Sequence, residues 1–296
     1  VYFMRRAIIL LCLALVAAGC GTSSISAPGA TTVTPHPVTG ANDWLQFDYD
    51  SQHSGVNPNE THLSLSNVGG LHRLWAVRLP AKADSIPVLI GAVKQPDGKQ
   101  GAVIYVTTTN GSLVALDAAT GAQLWQKTTQ GPKLTNASPA VDPDKQYVYS
   151  YGLDGKVHKY DAASGNEATG NGWPLTTTLM TDVEKESSAL TIANGRLYVT
   201  MSGYLGDGGH YEGHVVALPL SGGTPSVWNS LCGDKHELLG PTPGQPNYCA
   251  DRQSGIWARA GTVADPITGN VYVVTGNGPY TACLLYTSDA ADDLTR

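Results

Sequence analysis

Residues 111–125, GSLVALDAATGAQLW, hold the pattern that decides the fold. A glycine precedes a stretch of alternating apolar residues, a turn of the form Asp-x-x-Thr-Gly follows, and a tryptophan ends the unit. The pattern returns as GKVHKYDAASGNEATGNGW from Gly155 and as GHVVALPLSGGTPSVW from Gly213. Period-two alternation next to glycine turns is typical of paired β-strands rather than of helices.

The repeat recurs at a spacing that indicates one supersecondary unit. Each copy follows another β-rich run (VIYVTTTNG, YVYSYGLDG, RLYVTMSG), and a fourth copy begins as NVYVVTGNG. Successive tryptophans are 50, 48 and 55 residues apart, at Trp75, Trp125, Trp173 and Trp228. About four strands per ~50 residues is the signature of a β-propeller blade. A β-helix or a sandwich is the alternative, but neither accounts for one tryptophan per unit.

We therefore predict an all-β propeller of four-stranded blades. The blades fall at about 86–128, 137–178 and 188–231, and a fourth opens at 262 and contains two strands. This makes about three and a half blades of a ring of seven or eight. We expect the tryptophans to pack between neighbouring blades.

The repeat also resembles a known family. The motif AxDxxTGxxxW, Ala115 to Trp125, is similar to the tryptophan-docking repeat of quinoprotein (pyrroloquinoline-quinone-like) propellers. The segment from Asp43 to Trp75 looks like the lead-in to the first strand of that family, so the resemblance covers about 43–280. It implies that a strand at Leu71–Leu79 completes the last blade of the ring.

The resemblance implies a cofactor site only in part. Catalytic members hold a quinone and a calcium ion with a Glu, an Asn and an Asp, and stack adjacent cysteines on the quinone. Thr275–Pro279 resembles the turn that supplies the Asn, which makes Asn277 the matching metal ligand. Leu205 occupies the position where the Glu ligand is expected. Asp207 or Glu212, in the insertion that follows, are the acidic residues that could take its place. No cysteine occurs in 85–105. The other interpretation of Asn277 is a turn residue.

Long connections point to one face of the ring as the binding face. The second-to-third connections and the links between blades share a face, and they include the insertions 202–213 and 229–257. We expect these insertions to contact an envelope protein, a peptide or a glycan. His210 and His214 are expected in a solvated loop, because four residues of strand span about 13 Å, too far for one metal ion. Trp257 and Arg259 either line a pocket or serve in packing and a surface ion pair.

The beginning of the sequence predicts export and a lipid anchor. Two arginines, a short apolar run and small residues form a signal peptide over 1–20, with 1–3 preceding the true start. Ala17-Ala18-Gly19-Cys20 resembles a bacterial lipobox, so Cys20 is the predicted lipidation site; the alternative is an ordinary signal peptide. Residues 21–41 form a flexible tether. We expect the protein in the cell envelope, facing the periplasm or the surface.

Cysteine use and charge add two constraints. Setting aside Cys12, Cys20 and Cys283 leaves Cys232 and Cys249, which an oxidising compartment would join. The net charge of −6 with 14% charged residues includes no basic patch for nucleic acid. Residues 283–296 resemble the translation of a sequencing-library adapter, which leaves 42–282 as the propeller part; the alternative is a divergent third strand.

Two functions fit these observations. The first is a lipid-anchored propeller without catalytic activity and without a cofactor, which binds a partner or supports assembly. The second is an alcohol or polyol dehydrogenase that depends on pyrroloquinoline quinone and calcium. The missing adjacent cysteines and the displaced Glu favour the first.

The lipid anchor is testable by substitution. We expect the exported protein to incorporate labelled palmitate, and we expect Cys20→Ala to lose the label because the acceptor thiol is gone. Labelling that persists in Cys20→Ala would contradict the anchor.

Overall fold

Four antiparallel sheets follow one another along the chain in the computed structural model, which describes residues 42–95, 97–204 and 208–278. Sheet one contains β1 (Val88–Lys94), β2 (Gln100–Thr107), β3 (Ser112–Asp117) and β4 (Gln123–Thr128). Sheet two contains β5 (Ala140–Val141), β6 (Tyr147–Tyr151), β7 (Lys156–Asp161), β8 (Glu167–Ala168) and β9 (Leu175–Thr176). Sheet three contains β10 (Glu184–Glu186), β11 (Thr191–Ala193), β12 (Arg196–Gly203), β13 (His214–Pro219) and β14 (Ser226–Asn229). Sheet four pairs β15 (Val263–Ala264) with β16 (Val271–Tyr272).

The sheets are propeller blades, and the predicted fold class is confirmed. In the first three sheets consecutive strands pair as antiparallel neighbours, as in a four-stranded meander. Two short segments share the innermost position of blade three, because β10 and β11 both pair with β12. A 3₁₀ turn, Val68–Gly70, precedes β1. The number of blades in the complete ring stays a prediction.

Several predicted features lie outside the described residues: the signal peptide 1–20 with Cys20, the tether 21–41, Leu205, Asp207 and the tail 283–296. Among the residues that the structure describes, no helix has the length and apolarity required to cross a bilayer.

The cores lie between blades rather than within them. One cluster joins Tyr149 and Trp173 of blade two to Leu197 and Val216 of blade three. The other two interfaces have clusters of the same kind, and each contains the tryptophan of the preceding blade. A blade is a single sheet and cannot bury its own faces, so its stability depends on its neighbours.

Trp125 shows how one blade docks on the next. Its indole Nε1 donates to the carbonyl oxygen of Ala162, 3.2 Å away, in the Asp-x-x-Ser-Gly turn of blade two. The ring also covers Gly165, where an added Cβ would approach Trp125 Cδ2 to 2.7 Å. Trp75 repeats the arrangement with Ala118 and Gly121 of blade one. The glycine of the turn is therefore the seat of the preceding tryptophan.

Blade three departs from this docking. Its turn reads Pro219 to Gly223, without the Asp-x-x-Thr-Gly pattern, and it is bound by Asn171, whose Nδ2 donates to the carbonyl of Ser221 at 2.7 Å. Trp173 packs in the interface, but its Nε1 is buried without a hydrogen-bond partner. Trp228 packs between blades three and four, against Tyr198 and Val271 among others.

Leu71–Leu79 is not paired as a strand, and its predicted place in the last blade of the ring stays a prediction, because the described residues comprise three blades and the first two strands of a fourth. Within the described ranges this segment pairs with no other strand, and Leu71 and Leu74 remain 64% and 56% exposed. Only Trp75 and Leu79 pack on blade one. A strand needs a neighbour to bond its backbone groups, and this segment lies against the side chains of blade one instead.

Residues 43–55 run across the inner strands of all four blades. The contacts follow chain order: Trp44 bridges to Leu89, Leu45 O accepts from Val141 N, Gln46 Oε1 accepts from Ile192 N, and Ser51 O accepts from Ala264 N. His53 Nε2 lies 2.8 Å from the carbonyl oxygen of Thr262. This short segment therefore hydrogen-bonds to strands that are about 175 residues apart, since its contacts extend from Leu89 to Ala264.

The tryptophan seat predicts an unequal effect of two glycine substitutions. Gly165 and Gly195 have nearly equal positive φ angles, 70° and 71°, but no atom lies within 4 Å of a Cβ added at Gly195. Both alanine substitutions should cost about 1–2 kcal/mol of backbone strain. Gly165→Ala should lose about 1–3 kcal/mol more, because its methyl group displaces Trp125.

Urea denaturation gives the free energy of unfolding for each variant. Equal losses in Gly165→Ala and Gly195→Ala would show that the Trp125 seat does not stabilise the blade interface.

Candidate functional site

A cavity of about 560 Å³ lies where the irregular connections of the blades meet. Its walls come from separate parts of the chain: Thr109 follows β2, Asn136 lies between blades one and two, Lys185 is on β10, Tyr204 follows β12, Arg259 lies between blades three and four, and Asn277 follows β16. These are second-to-third connections, inter-blade links and the first strand segment of blade three. The cavity therefore opens on the face that carries the two insertions.

The described walls of the cavity carry more positive than negative charge. Lys82, Lys185 and Arg259 line it, against one carboxylate, Asp84. Arg259 Nη2 lies 2.8 Å from Asp84 Oδ1, and Asn136 Nδ2 donates to Asp84 Oδ2 at 2.6 Å. Burial raises the pKa of Asp84, but the hydrogen bond and charge of Arg259 outweigh it and hold that pKa below its ordinary value. Asp84 is therefore ionised and already paired.

Lys185 is a buried cation at the wall of the cavity. Its residue is 4% exposed, and its Nζ donates to Asn136 Oδ1 at 2.6 Å. Burial lowers the pKa of Lys185 to about 8, although the nearby Glu186 opposes the shift. Because its ammonium group has lost most of its water, an anion that reaches it would bind more strongly than at the surface.

Glu186, the neighbour of Lys185 on β10, is a buried acid. It is fully buried, and burial raises the pKa of its carboxyl well above the ordinary value. Its Oε1 accepts from Ser188 N and Thr200 Oγ1, both at 3.1 Å, and its Oε2 has no hydrogen-bond partner. Burial therefore shifts the equilibrium of Glu186 towards its acid form.

Trp257 and Arg259 both line the cavity, and Arg259 also makes the ion pair with Asp84. The two interpretations of Arg259 therefore both describe it. Trp257 is 57% exposed, which leaves indole surface open beside the cationic groups. Flat apolar surface next to fixed charges is typical of small-ligand and side-chain pockets.

Asn277 lies at the edge of the same cavity, and its backbone oxygen accepts from Ser254 N at 2.7 Å. Among the described His, Cys, Asp and Glu residues, the group of three that could share a metal ion is Glu212, Cys232 and Cys249, and none of these lines the cavity. The described walls of the cavity hold two amides, Asn136 and Asn277, and one carboxylate that is already paired, which is little negative charge for calcium, an ion that takes six to eight oxygens. The role of Asn277 as a metal ligand stays a prediction.

The cationic walls fit the quinone of the implied cofactor pair better than they fit calcium. A quinone that carries carboxylate groups would find Lys82, Lys185 and Arg259 as partners and Trp257 as a flat surface. The same groups fit any anionic ligand of that size. The described walls therefore offer more cationic partners than carboxylate ligands.

The prediction of a solvated loop around His210 and His214 is wrong for most of that segment. His214 is 1% exposed; its Nε2 lies 2.7 Å from the carbonyl oxygen of Thr177. Glu212 is also 1% exposed, and Glu184 Oε1 accepts its backbone N–H at 3.2 Å. The segment is buried because the 229–257 insertion folds over it, which the local sequence does not reveal.

Cys232 and Cys249 are bonded as a disulfide across the 229–257 insertion. The bridge closes a loop of 17 residues, which reduces the entropy that an open loop of this length would gain. The loop is also attached to the neighbouring insertion, because Glu212 Oε1 accepts the backbone N–H groups of Leu231 and Cys232. The two insertions therefore form one connected surface.

Sequence reasoning missed the charged residues of the cavity. Asp182 to Glu186, Lys82 and Asp84 carry no motif. One signal was present: Glu184–Glu186 lie directly before the predicted start of blade three at 188, where its inner strand is expected. A lysine and two glutamates at an inner-strand position indicate a polar cavity rather than a solvated edge.

Comparison with known proteins gives one family and several partial relatives. Residues 72–255 match the family model described as outer membrane protein assembly factor BamB. A lanthanide-dependent methanol dehydrogenase of Methylacidiphilum fumariolicum (strain SolV) is 39% identical over 71 residues, which cover 21% of this chain and 12% of that protein.

Two solved structures have a similar fold. The quinohemoprotein alcohol dehydrogenase from Comamonas testosteroni has a TM-score of 0.58 and 18% identity over 81% of this chain and 36% of that one. A europium-containing methanol dehydrogenase has the same score and identity over 80% and 43%. The chain spans less than half the length of each of these relatives. The 18% identity to the two solved structures shows a similar fold and nothing more.

Lys185 predicts a specific pH dependence of stability. In the unfolded chain it keeps its proton to about pH 10.5, whereas the folded chain releases it near pH 8. Between these values the unfolded state binds more protons, so the contribution of Lys185 to the free energy of unfolding rises with pH.

The comparison is wild type against Lys185→Met, with Lys99→Met as the control at an exposed lysine. From about pH 7 to about pH 9.5 we expect the wild type to gain stability relative to Lys185→Met, but not relative to Lys99→Met. Parallel pH profiles for wild type and Lys185→Met in urea denaturation would contradict a lowered pKa.

Proposed function

Because the chain belongs to the family described as outer membrane protein assembly factor BamB, whose repeats are of the quinoprotein propeller type, we propose that it is a binding module rather than an enzyme. Its central cavity binds an acidic segment of a partner protein in the cell envelope. The two insertions, 202–213 and 229–257, extend the contact around the cavity. The protein is exported and held to a membrane through Cys20.

The observation that carries this proposal is the charge of the cavity. Three cationic side chains face it, the one carboxylate among its described walls is paired, and Glu186 behind Lys185 favours the neutral form. A partner carboxylate that enters would meet the desolvated ammonium group of Lys185, which strengthens a charge-assisted hydrogen bond, and the more exposed Lys82 and Arg259 add their charge. A volume of about 560 Å³ accommodates several side chains.

Binding of hexaglutamate, measured by calorimetry at low salt, tests the proposal. We expect Lys185→Met to weaken the affinity by about tenfold or more, because a buried partner of the carboxylate is lost. Lys99→Met makes the same charge change on the opposite face, in the first-to-second turn of blade one, and should leave the affinity unchanged. Equal losses in the two variants would indicate a general charge effect and would refute the site.

The second candidate is a dehydrogenase that depends on quinone and calcium. The observation in its favour is that Trp257 and Asn277 line the same cavity as the cationic groups. The relatives named above are alcohol and methanol dehydrogenases. Against it stands the donor set around Asn277, which does not fit calcium, so no catalytic step is derived.

Pyrroloquinoline quinone with calcium serves as the competing ligand in the same experiment. Stoichiometric quinone binding together with dye-linked oxidation of an alcohol would replace the binding function with the dehydrogenase. Quinone that competes with hexaglutamate without supporting oxidation would keep the binding function, since both ligands are anionic.

A further inference from the structure

Beneath the 229–257 insertion, a buried carboxylate meets two cysteine sulfurs. One carboxylate oxygen of Glu212 and the sulfur atoms of Cys232 and Cys249 all lie within 4.8 Å of one another. Glu212 and Cys249 are 1% and 3% exposed, and Cys232 is half-buried. The three residues come from different parts of the chain: one from the connection before β13, and two from the insertion after β14. The cluster is separate from the cavity, since none of the three lines it.

The two oxygens of Glu212 have different environments. Oε1 accepts backbone N–H groups from Leu231 at 2.6 Å and Cys232 at 3.0 Å, which fixes the orientation of the carboxylate. Oε2 is buried and has no hydrogen-bond partner. A buried acceptor left without a partner costs about 1–3 kcal/mol. A buried carboxylate that lies beside two sulfurs and keeps one oxygen without a hydrogen bond is the feature that the disulfide alone does not explain.

We propose that the cluster binds a zinc ion when the two cysteines are reduced, with the thiolates of Cys232 and Cys249 and a carboxylate oxygen of Glu212 as ligands. Zinc favours four ligands, and thiolate sulfur with one carboxylate oxygen is within its ordinary choice. Two soft sulfur ligands disfavour calcium and magnesium, which take oxygen. A water molecule completes the four positions.

The distances fit this ion after a small movement. Zinc lies about 2.3 Å from sulfur and about 2.1 Å from oxygen, so tetrahedral ligand atoms are about 3.5–3.8 Å apart. After reduction the two sulfurs, 2.03 Å apart in the disulfide, have to separate by about 1.7 Å, and the carboxylate oxygen, within 4.8 Å of them, has to approach by about 1 Å. The backbone donors on Oε1 act as the outer hydrogen bonds that hold a metal-binding carboxylate in place.

The chemistry balances with an external reductant. A dithiol or a phosphine supplies two electrons to the disulfide, the S–S bond breaks, and each sulfur takes up a proton. Zinc then displaces both thiol protons and binds the thiolates. An oxidised dithiol, that is another disulfide, reverses the sequence: it accepts two electrons and two protons and becomes a dithiol, while the Cys232–Cys249 disulfide re-forms and zinc is released.

The zinc form would join the two insertions more tightly than the disulfide does. The disulfide links two points within 229–257, whereas zinc also binds Glu212 of the neighbouring connection. The redox state of the cysteines would thus change how firmly the binding face is held together. This inference concerns the insertions and does not depend on which ligand occupies the cavity.

Zinc retention by the purified chain tests the site. The chain is reduced with a phosphine under nitrogen, exposed to Zn²⁺ and desalted, and the bound metal is measured by mass spectrometry. We expect one zinc per reduced chain and none on the oxidised chain. Co²⁺ in place of zinc should show a thiolate-to-cobalt charge-transfer absorption.

Three variants separate this site from other thiols and from misfolding. Glu212→Gln still accepts the two backbone hydrogen bonds, so it should form the disulfide normally but weaken zinc binding by about tenfold or more. Glu237→Gln, an exposed change in the same insertion, should bind like the wild type. Cys232→Ser/Cys249→Ser should retain no zinc. Zinc on the oxidised chain, on this double variant, or with unchanged affinity on Glu212→Gln would overturn the proposal.

Discussion

The seating of each tryptophan on the glycine turn of the next blade is the interaction on which the rest of the structure depends. A blade is one twisted sheet, and its apolar faces are buried only by its neighbours. Trp125 fills the wedge between blades one and two and also hydrogen-bonds the turn of blade two. The contact therefore fixes how one blade lies against the next.

The segment 43–55 and the cavity walls both join residues that are far apart in the sequence. Residues 43–55 cross the inner strands, with contacts from Leu89 in blade one to Ala264 in blade four. On the other side, inter-blade links bring Asp84 and Arg259, 175 residues apart, into one ion pair. The ring brings distant residues together because each blade contributes one link to the same face. A site built this way is assembled only when neighbouring blades are docked.

Burial decides what the charged groups near the axis do. Lys185 and Glu186 are adjacent in sequence and lie on opposite faces of β10, yet burial favours the neutral form of both. Lys185 reaches the cavity and keeps its charge near neutral pH, whereas Glu186 points into the protein and favours its acid form. The two oxygens of Glu212 also differ in their surroundings: one accepts hydrogen bonds from backbone N–H groups, and the other is buried without a partner. The charge and hydrogen bonding of these groups therefore depend on their surroundings more than on the residue type.

The sequence by itself determined the blade pattern, because alternation and glycine turns are local properties that survive in any context. It also indicated the face with the long connections, since strand order alone places them. It did not reveal that Lys185 is buried, that His214 lies under the 229–257 insertion, or that 71–79 stays unpaired. Each of these depends on contacts between residues far apart in the chain. Only the tertiary structure, through docking of whole blades, decided which charges meet and which are desolvated.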